Sequence, residues 1–104
     1  MYQWWCYVGA AKLWRGSDTD AVYWFHKSIE ANRNFATAHF MLSAALAFVG
    51  KLDDARAATL SGLTLNPSFT IRRYRASSSC SHPAYIAGRE RIYEGLRVAG
   101  VPEG

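Results

Sequence analysis

Shifted along itself by 34 residues, the chain falls on its own pattern. Ala10 meets Ala44, Ala11 meets Ala45, Gly16 meets Gly50, Asp20 meets Asp54, Ala21 meets Ala55, Asn32 meets Asn66 and Phe35 meets Phe69. Val8 with Leu42, Trp14 with Phe48, Ile29 with Leu63 and Ala31 with Leu65 add conservative pairs. A period of this length sets the architecture before local propensity does, because each repeat is one supersecondary unit that hides its apolar face only by stacking on a neighbour. A chain of 104 residues has room for two such units and a tail. A second independent domain is excluded.

Each unit reads as helix, turn, helix. A first helix of about a dozen residues stops at Gly16 and again at Gly50, where the left-handed backbone that ends a helix is cheapest for a residue without Cβ. Ser17 or Asp18, and then Asp53, are placed to accept hydrogen bonds from the free amides of the next helix. The second helices cover residues 18–31 and 53–65, with Ala21, Phe25 and Ile29, then Ala55, Thr59 and Leu63, forming one inward stripe each. Gly9, Ala21, Ser43 and Ala55 fall where paired helices come closest, so bulk there would force them apart. Pro67, after Asn66, closes the second unit.

Beyond Pro67 the period breaks. The spacing predicts a short helix over residues 69–76, a serine-rich loop over 77–81 and a long final helix over 83–99. Pro83 suits the first turn, His82 or Ser81 a cap, and Gly100 with Pro102 the stop. Tyr85, Gly88, Ile92, Leu96 and Ala99 share one face, with Arg89, Glu90, Glu94 and Arg97 around the others. That pattern is a lid: one face for the last repeat, one for water. The predicted fold is all-α, with six helices.

Composition narrows the function. Half the residues are apolar, 14% aromatic and 19% charged, which excludes a disordered chain. The longest uncharged stretch, residues 34–50, is short of the ~20 apolar residues of a membrane span and reads as a buried helix. Residues 1–11 are apolar, but no basic region precedes them and Lys12 and Arg15 follow where a cleavage site would lie, so a cytoplasmic address is expected. Cys6 and Cys80 are too few and too far apart for a disulfide framework or a zinc ribbon. Residues 70–104 carry six arginines against three glutamates, so the basic excess belongs to the tail.

The period, with Trp5, Val8, Gly9, Ala21 and Phe25 in the first unit and Leu42, Ala55 and Pro67 in the second, resembles the tetratricopeptide repeat family, whose unit follows a W-x2-L-G pattern, then alanine, aromatic and proline. Arg33 replaces the first proline, and His39, Ser43 and Thr59 replace tryptophan, glycine and the aromatic of the second unit, giving it a shallower lock between its helices. The resemblance implies an α-solenoid of antiparallel repeats over about 2–35 and 36–69, with residues 70–104 as a helical cap. A narrower likeness lies in residues 30–35, 38–40, 66–76 and 89–103. These runs are similar to the carboxyl-terminal repeat region of bacterial class III adenylate/guanylate cyclase-like signalling proteins, especially of the rhizobial type. That family's catalytic domain has no counterpart here, and no cyclase residue is carried over.

The family resemblance implies a concave groove lined by the first helix of each unit: Gln3, Cys6, Ala10, Leu13 and Trp14, then Thr37, Phe40, Ala44, Ala47 and Phe48. This groove is apolar and nearly uncharged, so its expected occupant is an apolar peptide, a helix of a partner protein, or the chain's own lid. The competing reading places Leu13, Trp14, Phe40 and Phe48 in the core. Tyr2, Trp4, Trp5 and Tyr7 crowd one short helix with no earlier repeat to cover them, which predicts a docking face for another copy of the chain, in a homodimer, or for upstream repeats. Arg72, Arg73 and Arg75 around Tyr74 could serve phosphates, yet three arginines make a small footprint for nucleic acid. Neither a nucleophile with its base nor a metal-ligand spacing can be assembled from His26, His39, Cys80 and His82. The expectation is a non-enzymatic interaction module without cofactor, membrane anchor or metal, the carboxyl-terminal regulatory part or a truncated relative of a cyclase-like protein; the alternative is a structural or oligomerising module, with nucleic-acid binding through Arg72, Arg73 and Arg75 behind it.

Overall fold

Among its described residues, a computed structural model of the chain has six helices: α1 (Tyr2–Trp14), α2 (Asp18–Ala31), α3 (Ala36–Phe48), α4 (Leu52–Leu65), α5 (Ile71–Ala76) and α6 (Pro83–Val98). It describes residues 2–76 and 83–104, with residues 2 and 83–88 described by backbone alone, and no strand occurs among the described residues. The serine run 77–81 with Cys80, and the cap candidates Ser81 and His82, lie outside the described residues, as do the side chains of Tyr2 and Tyr85 and the surroundings of Gly88 on the predicted faces.

One turn is used three times. Gly16, Gly50 and Gly100 have φ of 82°, 85° and 94°, and after each the next amide reaches back across the helix end. Ser17 N donates to Lys12 O at 2.9 Å, Lys51 N to Leu46 O at 2.9 Å and Val101 N to Leu96 O at 3.0 Å. Each glycine amide donates in the preceding turn, to Leu13, Ala47 and Arg97 O. This pairing satisfies the orphan carbonyls of α1, α3 and α6. The expected side-chain caps do not form: Ser17 and Lys51 precede α2 and α4 without a side-chain cap bond. Helix resumes so soon after each glycine that the acids fall inside the first turn, as Asp18 and Asp20, then Asp53 and Asp54. There they complement the positive end of the helix dipole.

Short turns fold each of the first four helices back on the one before, so α1 packs on α2, α2 on α3 and α3 on α4. Gly9 sits under the ring of Phe25, and a Cβ added there would lie 2.6 Å from Phe25 Cε1. Ala21, Ser43 and Ala55 are fully buried where close approach was predicted. The second pair is locked as tightly as the first, but with the parts exchanged. Phe40 on α3 lies over Gly62 on α4, where an added Cβ would be 2.8 Å from Phe40 Cζ.

The tail departs from the predicted lid. Rather than lying on α4 at the end of the series, α6 packs across α3 and α1, with α5 against its side. Ile92 and Leu96 are fully buried on the predicted face, but Arg89, expected toward water, is buried as well. Gly95 allows the close approach, since a Cβ there would lie 2.7 Å from Phe48 Cε2 and 3.1 Å from Ala44 O. The chain end then turns back to α5: Ile71 N donates to Pro102 O and Arg72 N to Glu103 O, both at 2.9 Å, while Arg73 N donates to Thr70 Oγ1 at 3.1 Å. The first amides of this short helix are thereby all bonded. A run of rings ties these pieces to the second helix pair. Phe40 stacks on Phe69 with centroids 3.8 Å apart, Phe69 meets Tyr74 at 5.9 Å and Tyr74 meets Tyr93 edge-on at 5.7 Å.

Candidate interaction site

The first helices α1 and α3 lie side by side, and the residues predicted to line their groove divide into three sets. Gln3 and Thr37 are exposed, and Trp14 keeps 37% of its surface. Cys6, Leu13, Phe40 and Ala44 are buried, while Ala10, Ala47 and Phe48 are half-buried. Phe40 faces Gly62 and Phe69 rather than the groove. The groove floor at Ala44 and Phe48 is occupied by α6 through Gly95. Of the three occupants anticipated from sequence, the chain's own final helix is the one in place.

An arginine holds it there. Arg91 donates from Nη1 to Leu13 O at 2.8 Å and to Asp18 Oδ1 at 2.8 Å, and from Nη2 to Asp18 Oδ2 at 2.9 Å. Its guanidinium also lies 3.9 Å from the Phe48 ring centroid. A two-pronged carboxylate contact over an aromatic face is the arrangement that the flat guanidinium supports and an ammonium does not. The bond to Leu13 O also satisfies a carbonyl in the last turn of α1. Nothing in the repeat pattern signals Arg91, because its partner is 73 residues away.

Where α6 leaves the groove, a cavity of about 510 Å³ remains, lined by Cys6, Tyr7, Ala10, Trp14, Phe35, Thr37, Met41, Tyr74 and Arg89. Its size falls in the range of small-molecule and side-chain pockets, and such sites combine apolar walls with a few fixed polar groups. The polar element is Arg89, whose Nε donates to Tyr93 Oη at 2.9 Å and whose Nη2 donates to Tyr74 O at 3.0 Å. It also stacks 4.3 Å from the Tyr74 ring centroid. Burial pushes the Cys6 thiol up from 9.0 to about 12, so at neutral pH it is an uncharged wall rather than a nucleophile.

The aromatic cluster predicted as a docking face lies on α1 and extends to α2. Trp4 and Tyr7 are 55% and 71% exposed, and Trp5 is half-buried. Trp4 meets Trp24 edge-on at 6.5 Å, and Tyr23 meets Trp24 at 5.2 Å. Lys27 Nζ lies 5.0 Å from the Trp5 ring, 5.9 Å from Trp24 and 6.0 Å from Tyr23. This cation over a set of electron-rich faces was missed in the sequence, although Tyr23 and Lys27 stand one helical turn apart.

The arginine segment is exposed at Arg72, Arg73 and Arg75, but Arg75 pairs with Glu90 at 3.4 Å and lies 4.6 Å from the Tyr93 ring. His39 Nε2 is 2.9 Å from Arg33 O. Among the described residues, no three His, Cys, Asp or Glu side chains gather as a metal site would require, and no helix is long and apolar enough to cross a membrane. No protein-family model, curated protein or solved structure matches the chain.

Proposed function

We propose that the chain is a non-catalytic protein-interaction module, a tetratricopeptide-like array of two helix pairs (2–35 and 36–69) with a helical C-terminal part (70–104), working in the cytoplasm. Its recognition site is the cavity left between α1, α3 and the helices of the tail, and its occupant is a bulky apolar side chain of a partner peptide. The observation that carries this reading is the position of that cavity: Cys6, Ala10, Trp14 and Thr37 of the expected groove line it together. Full burial of one Leu- or Phe-sized group contributes about 1.5–3 kcal/mol, and aromatic walls suit such an anchor. The likeness of residues 30–35, 38–40, 66–76 and 89–103 to the repeats of cyclase-like proteins supports a signalling context, as the carboxyl-terminal part or a truncated relative of such a protein.

Filling the cavity tests this. Peptides selected from a random display library for binding to the wild-type chain should lose at least tenfold in affinity against Ala10→Trp, with helicity by circular dichroism unchanged. Peptides that bind Ala10→Trp as tightly as wild type would remove the cavity from the reading.

A further inference from the structure

Among the described residues, the outer helices α1 and α4 both carry exposed large apolar side chains, Trp4 and Leu60, and their surfaces differ in shape and charge. In α3 and its C-cap, Ala38 and Ala45 are fully buried, Leu42 is 5% exposed and Val49 is half-buried, with α2 packed against the helix. The same register on α1 holds Trp4, Val8, Ala11 and Arg15. Trp4 is 55% exposed, and Ala11 and Arg15 are exposed. At the other end, the α2 positions of Val22, His26 and Ile29 recur on α4 as Arg56, Leu60 and Leu63. Leu60 is 66% exposed, and with Arg56, Thr59, Leu63, Ala99 and Gly100 it borders a shallow depression of about 300 Å³. Because α6 packs on α3 and α1, it does not take the place on α4 that a capping helix would fill.

We infer that these ends fit each other: α4 of one copy of the chain docks on α1 of a second copy, repeating between molecules the α2–α3 contact within one. Trp4 is the protruding part and the depression beside Leu60 is the receiving part. Charge favours the same pairing. Neighbouring helices run in opposite directions, which sets Asp53 and Asp54 in the first turn of α4 beside Lys12 and Arg15 at the end of α1. The alternative, aromatic face against aromatic face, would bring Arg15 and Lys27 of both copies together. This association goes beyond the groove reading, since it uses neither groove nor cavity. Its two surfaces differ, so it is heterologous and continues by adding copies instead of closing at two.

Sedimentation velocity over a dilution series, with two variants, tests it. The wild-type weight-average mass should climb with concentration past twice the 11.6 kDa of the chain, and fall again in high salt. Trp4→Glu and Leu60→Glu change exposed positions, so each should keep its helicity and remain a monomer. An equal mixture of the two variants retains one intact interface and should form pairs and nothing larger. A wild-type chain that stays monomeric overturns the inference. So do wild-type dimers that grow no further, or a mixture that gives no pairs, since these describe a self-facing contact. Loss of peptide binding by Ala10→Trp leaves all of these readings untouched, so the two proposals fail separately.

Discussion

The two helix pairs share a period and reverse their packing. In the first, the aromatic sits on the second helix and the glycine on the first, as Phe25 over Gly9; in the second, Phe40 on the first helix covers Gly62 on the second. The equivalent positions are filled in compensation. Where the second pair has Phe40 and Gly62, the first has Cys6 and Ser28; where the first has Gly9 and Phe25, the second has Ser43 and Thr59. All four of these smaller residues are buried. Each pair thus holds one ring on a glycine and one small-on-small position, exchanged. A close-packed interior constrains the volume between two helices more tightly than it constrains which helix supplies it.

The largest expected effect tests that equivalence. Gly9→Val and Gly62→Val should each lower stability by about 3 kcal/mol, because forcing methyl groups into a filled core costs 1–3 kcal/mol or more. Both rings are fully buried and have no open side to move into. Urea unfolding reads the loss. Adding Phe25→Leu to Gly9→Val, or Phe40→Leu to Gly62→Val, should restore part of it, and the coupling in each double-mutant cycle should be similar. If Gly62→Val is tolerated while Gly9→Val is not, the exchange is incidental and only the first pair is locked.

A smaller effect separates the ways in which α6 meets the two pairs. Against α3 of the second it sets Gly95 under Phe48; to the first, besides packing on α1, it adds the hydrogen bonds of Arg91 to Leu13 O and Asp18. Arg91→Met should cost about 1.5–3 kcal/mol, the range for hydrogen bonds to charged groups, and less than the upper figure because Asp18 retains the favourable field of the α2 N-terminus. Native-state hydrogen exchange should show faster opening at the end of α1 and the start of α2, with α3 and α4 protected as before. Equal loss of protection in both pairs would mean that Arg91 supports the whole molecule and not one side of it.

The sequence already contained the helices and their turns, and the reason is local. Gly16, Gly50 and Gly100 need a backbone region that other residues avoid, and the period between the first two repeats that requirement. The candidate site was legible in part. Cys6, Ala10, Trp14 and Thr37 were placed in a groove and meet around one cavity, because their spacing along α1 and α3 alone puts them on one side. Phe40, at an equivalent place in the pattern, turns toward Gly62. That choice depends on a glycine in another helix, which no reading of α3 alone could supply. Arg91 and Arg89 were hidden for a related reason: an arginine reads as surface until a distant carboxylate, carbonyl or ring is known to receive it. The resting place of α6 was likewise undetermined, since a helix with one apolar face fits the end of a stack and a groove equally well.

The smallest effect concerns the chain end, which is tied to α5 and α6 and touches the second pair through Ala99 and Thr59. Arg97 donates to both oxygens of Glu103 at 3.0 Å. Those hydrogen bonds hold the Glu103 carboxyl below its ordinary value of 4.5 and raise the Arg97 guanidinium in return. A carboxylate whose folded-state value is depressed contributes stability that is complete above 4.5 and disappears as pH falls through the folded value. Both side chains are exposed, Arg97 at 44% and Glu103 at 62%, so solvent screens the pair and the contribution is slight. Glu103→Gln should therefore melt marginally below wild type at neutral pH, and the gap should close as pH is taken below 4.5, where the wild-type carboxyl takes up its proton. Equal melting of the two at every pH would place the role of Glu103 in its backbone bond to Arg72, which glutamine keeps, rather than in its charge.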